Sequence, residues 1–93
     1  MFIKEILQFR DGGTIGFNVL LSVDEQAKLG NLTHDTVITI DSKTGGDGKW
    51  YAGLKSQGVI EIEDVGIISA VIKAFEEKVS RETILLEKVK QFL

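Results

Sequence analysis

Cysteine is absent from this sequence, which excludes disulfide bonds, thiolate metal sites and a thiol nucleophile. Proline is absent too, where average usage would supply about four or five in a chain of 93 residues. Turns must therefore be made by Gly, Asn, Asp and Ser. Histidine, tryptophan and tyrosine occur once each. Arginine occurs only as Arg10 and Arg81, and the net charge of −3 is spread over both halves rather than gathered into a basic stripe. Nucleic acid is thus the less favoured partner. No apolar run approaches the roughly 20 residues needed to span a bilayer, so no membrane partner is expected. The opening MFIKEILQFR carries charges every few positions and no small-residue cleavage site, unlike a signal peptide. The expectation is a cytoplasmic protein.

What is present suits one small domain. Apolar residues make up 43% and charged residues 27%, close to globular averages. Residues 1–63 read as β-rich and residues 64–93 as helical, with no repeat or linker between them. Phe2–Arg10 reads as a strand, though Ile3, Lys4 and Glu5 blur its alternation. Asp11-Gly12-Gly13 turns it into a second strand, where Ile15, Phe17, Val19, Leu21 and Val23 alternate without error. Phe17 and Val19 should face the core. Ser22 and Glu25 have capping-box spacing, and Gly30-Asn31 stops the short helix that follows. Thr36–Asp41, Trp50–Leu54 and Val59–Glu63 complete a five-strand set, and Ser56-Gln57-Gly58 turns the last pair. Asp64 is a candidate N-cap for a long final helix. The order ββαβββα predicts an α+β fold: a mostly antiparallel five-stranded sheet, or partial barrel, with a long C-terminal helix.

The stretch KTGGDGKWYAG, Lys43 to Gly53, tests for chemistry. A phosphate loop of the Walker type would need glycine at Lys43 and a hydroxyl at Trp50, and the segment after it reads as strand rather than helix. A long hairpin loop is favoured. Its aromatic end makes Lys49, Trp50 and Tyr51 the candidate partner-binding residues, with Trp50 and Tyr51 on opposite faces of an extended segment. His34-Asp35 could be half of a metal site, but the remaining ligands would have to come from scattered acids such as Asp11, Asp41 and Asp47. A polar turn is favoured. No catalytic, cofactor-binding or metal-binding residue is assigned.

The final helix carries the clearest interaction signal. Ile68, Ile72, Phe75, Val79, Glu82, Leu86, Val89 and Leu93 are spaced alternately four and three, the pattern of a helix–helix seam, with Glu82 its single interruption. Glu77 and Arg81 have the acid-before-base spacing of a supporting pair. Ile67, Val71 and Leu85 widen the apolar stripe, so part of the helix must cover the sheet. A helix from Val65 to the end would be about 44 Å long, against a diameter of roughly 32 Å for a globule of this size. Either it breaks near Ser80, or its last turns project and pack on another chain. Glu82, Leu86, Val89 and Leu93 are then the candidate oligomer interface.

The segment TIGFNVLLSVDEQAKLGNLTHDTVITI, Thr14 to Ile40, resembles the swapped-hairpin barrel of the AbrB and MazE transcription regulators: strand, short helix ending in Leu29-Gly30, Leu32, then Asp35, Val37 and strand. It departs from that pattern in lacking the proline before the helix, in the extra Asn31, and in His34 where the family has glycine. The resemblance implies an intertwined dimer that binds DNA through its N-terminal hairpin, with Arg10 as the only candidate for the family's phosphate-contacting arginines. The residues themselves favour a non-catalytic binding module, a regulator or inhibitor acting through protein–protein contacts and a homo-oligomer. The DNA-binding regulator is the alternative.

Overall fold

The computed structural model describes residues 1–10, 13–41, 48–53 and 58–91. Most of the Lys43 to Lys49 loop, the turn residues Asp11, Gly12, Ser56 and Gln57, and Leu54 and Leu93 lie outside the described residues. Five strands form one sheet in sequence order: β1 (Phe2–Gln8), β2 (Thr14–Leu20), β3 (Asp35–Asp41), β4 (Trp50–Ala52) and β5 (Ile60–Ile62). Every neighbouring pair is antiparallel. Among the described residues β1 and β5 are edges, so the sheet is open rather than closed into a barrel. A short helix α1 (Val23–Lys28) links β2 to β3, and a long one, α2 (Val65–Lys90), follows β5.

Alternation decides the faces. Phe17 and Val19 of β2 are buried as their period requires, with Ile3, Ile38, Ala52 and Ile62 beside them on the other strands. The blurred pattern at the start of β1 is a bulge: pairing passes from Ile3↔Val19 to Glu5↔Asn18, leaving Lys4 as the extra residue. Lys4 then reaches the Asp35 carboxylate at 2.6 Å. β4 ends at Ala52, two residues short of the expected Leu54, because Gly53 adopts φ 114°, a conformation that leaves the strand. β5 is likewise shorter than Val59–Glu63.

Both helix starts follow their local chemistry. The Ser22 side chain accepts from the Glu25 amide, and the Glu25 carboxylate accepts from the Ser22 amide at 2.9 Å. Gly30 and Asn31 end α1 with φ of 73° and 61°, the left-handed turn that glycine and asparagine tolerate best. The Asp64 side chain accepts from the Ile67 amide and starts α2. No break occurs near Ser80; α2 is continuous for 26 residues, about 39 Å at 1.5 Å per residue. The radius of gyration of 14.6 Å exceeds the roughly 12 Å expected of a compact chain this long.

Candidate functional site

Two apolar lines run along α2, one residue and therefore about 100° apart. Ile67, Val71 and Ala74 are buried against the sheet. Lys78 and Arg81 continue that line, and Arg81 marks the sheet's edge. Its guanidinium donates to the Ile3 carbonyl at 3.1 Å and stands 4.5 Å over the Phe2 ring. The Glu77–Arg81 pair expected from spacing is therefore not what organises this turn. The ion pair in this part of α2 joins Lys78 to Glu82 at 2.8 Å.

Past Arg81 the helix has left its sheet. Every residue from Arg81 to Gln91 is exposed. Leu85, which extends the buried line, is 62% exposed, whereas Val71 is 0% exposed. The second line is Ile72, Phe75, Val79, Leu86 and Val89, all exposed by 39–54%, with Ile68 half-buried at its head. Glu82 interrupts it, as the spacing shows. Leu86 and Val89, expected at an interface, are therefore on the surface of a single chain. Water bordering such a stripe is unfavourable by about 25 cal/mol per Å² of apolar area.

The aromatic candidates divide between the two faces. Trp50 is half-buried on the α2 side, its ring stacked on Phe17 with centroids 6.4 Å apart. Phe17 meets Phe75 edge-on at 5.9 Å. Trp50 is thus joined through Phe17 to the head of the uncovered stripe, a link between distant segments that no local pattern announces. Tyr51 is on the opposite face, in register with Thr39 and Glu61. Lys49 pairs with Glu61 at 3.1 Å.

His34 holds a turn together. Its Nδ1 lies 2.8 Å from the Leu21 carbonyl, and its own carbonyl accepts from the Leu21 amide at 2.8 Å. Since a carbonyl can only accept, Nδ1 carries the ring proton. No cluster of metal-ligating side chains occurs among the described residues. The Glu25 carboxyl is clearly shifted. Partial burial works to raise its pKa, but the Ser22 amide, the Met1 ammonium and the Ser22 hydroxyl together outweigh it and hold the carboxyl below its usual range.

The class of protein so defined is a two-layer α+β domain: an open antiparallel meander covered on one face by a helix that outruns it. No helix among the described residues is long and apolar enough to cross a membrane. Compared with family profiles, curated proteins and solved structures, the chain finds no match. Thr14 to Ile40, the segment with the AbrB and MazE resemblance, forms β2, α1 and β3, and β2 pairs directly with β3.

Proposed function

We propose that this protein is a small, non-catalytic cytoplasmic binding module, a regulator or inhibitor that acts through protein–protein contacts and assembles with itself. One observation carries the reading: α2 continues unbroken past its sheet with an apolar stripe still uncovered. A domain with a narrow core gains little from an exposed seam unless another surface covers it. Leu86 and Val89 belong to the self-association surface. The segment Lys49, Trp50 and Tyr51 at the start of β4 is the candidate site for a different protein, with Trp50 on the α2 face and Tyr51 on the other, since aromatic side chains are common anchors at contact surfaces.

Light scattering at micromolar concentration tests the reading. The wild type should run as a dimer or larger species, and Leu86→Glu with Val89→Glu should reduce it to a folded monomer. A monomeric wild type overturns self-association. Binding to duplex DNA that weakens steeply with salt would instead favour the regulator class implied by the Thr14–Ile40 resemblance.

A further inference from the structure

The one charged residue in the uncovered stripe restricts how a second copy can lie on it. Glu82 sits in the seam between Val79 and Leu86, and the Lys78 ammonium already reaches its carboxylate from the flank nearer the sheet. A carboxylate at a helix–helix seam is tolerated when a cation meets it and strongly disfavoured when another carboxylate does. Two parallel helices in register would set Glu82 against Glu82. That arrangement is disfavoured by its own charge.

Antiparallel pairing staggers the two carboxylates by about 4.5 Å along the axis instead of facing them, and only one register brings each a second lysine. With the two-fold axis between Ser80 and Arg81, Ile72 lies opposite the partner's Val89, Phe75 opposite the partner's Leu86, and Val79 opposite the partner's Glu82. In seam packing of this kind the flanking residue just before Val79 is Lys78. Each Glu82 is therefore met by two lysines, its own chain's and the partner's. Sliding the helices by one heptad puts Glu82 opposite Leu86 or Ile72, whose preceding residues are Leu85 and Val71. Neither adds a cation to the one that Lys78 of the same chain supplies.

Resting on the self-association proposed above, we infer that two copies pair through α2 as antiparallel helices, with Lys78 and Glu82 of both chains forming a four-residue charge cluster at the two-fold axis. The apolar layers supply the attraction, and the cluster selects orientation and register. A lone polar seam position acts in this way at the expense of stability. The overhanging turns of each chain then cover the stripe beside the other chain's sheet, so the projection and the uncovered stripe answer one another.

Spin labels on Val65→Cys, an exposed position at the start of α2 and beyond the overlap, read the geometry. In the inferred register the labelled backbones are about 46 Å apart along the helix axis at 1.5 Å per residue. One heptad out gives about 36 or 57 Å, and a parallel pair only the interhelical distance of about 10 Å. Light scattering on the same sample separates the two levels of argument. A monomer overturns both self-association and this pairing. A dimer with the short distance, or with either slipped distance, overturns the pairing alone. Glu82→Leu should tighten the dimer by about tenfold or more while splitting the single distance into several. A tighter dimer with the 46 Å distance unchanged would show that the charge does not choose the register.

Discussion

The two halves of α2 resemble each other in sequence and differ in circumstance. From Val65 to Arg81 the helix lies on the sheet, and Ile67, Val71 and Ala74 vanish into the core. From Glu82 to Lys90 the same four-and-three spacing continues, yet every residue there is exposed. Leucine, isoleucine and valine therefore have different surroundings in the two halves: core in the first, solvent in the second. Periodicity measures how a helix is sided. It does not measure how far the surface beneath it extends.

Breaking the core under the first half should have the largest effect. Phe17 joins Trp50 to Phe75 and is 4% exposed. Phe17→Ala should cost about 3–5 kcal/mol, enough to unfold a domain of this size, as read by chemical denaturation. A soluble variant with unchanged melting would contradict the packing described.

A matched pair of substitutions sharpens the comparison. Ile67→Ala, in the covered half, should destabilise by about 2–5 kcal/mol. Ile84→Ala, on the projecting half and turned away from the seam, should change stability by no more than about 0.5 kcal/mol. Similar melting temperatures for the two would erase the distinction between the halves.

The boundary between them should respond next. Arg81→Met keeps a long apolar stem but loses the bond to the Ile3 carbonyl and the charge over the Phe2 ring. A loss of about 1–2 kcal/mol is expected, with faster amide exchange from Arg81 onward as the helix detaches earlier from its sheet. Unchanged exchange would mean that Arg81 does not anchor the edge.

The smallest effect lies at the start of α1 and depends on pH. Glu25 has a folded-state pKa below its unfolded value, so its ionised form stabilises the fold above the unfolded pKa. That contribution is lost as pH falls through the lowered value. Glu25→Gln keeps the capping geometry while removing the charge. It should melt slightly lower than wild type near pH 7, and the difference should close in acid, below the ordinary carboxylate range. A gap that persists in acid would assign the effect to geometry rather than charge.

Much of the architecture was legible because local rules and global packing agree. The alternation in Thr14–Leu20, the Ser22–Glu25 box, the Gly30-Asn31 stop and the Asp64 cap each act within a few residues, and each appears as expected. That Glu82, Leu86 and Val89 share one line of α2 was legible for the same reason, since the spacing is a repeat along one helix. The strand ends at Ala52 and Ile62 were not, because they depend on where a partner strand stops. Nor was the fate of Arg81. Spacing offered it Glu77, but the fold brought it the β1 edge, 78 residues away in sequence.

By itself, then, the sequence determined which segments are strand and helix, which face of β2 is apolar, and that α2 carries more apolar surface than one contact would use. Those properties are periodic and local, set by side-chain direction along a regular backbone. The tertiary structure alone decided that α2 runs unbroken past Ser80, that Arg81 ends its contact with the sheet, and that Phe17 ties Trp50 to Phe75. Each depends on the width and order of the sheet. That width arises from strands far apart in the chain, and no window along the helix contains it.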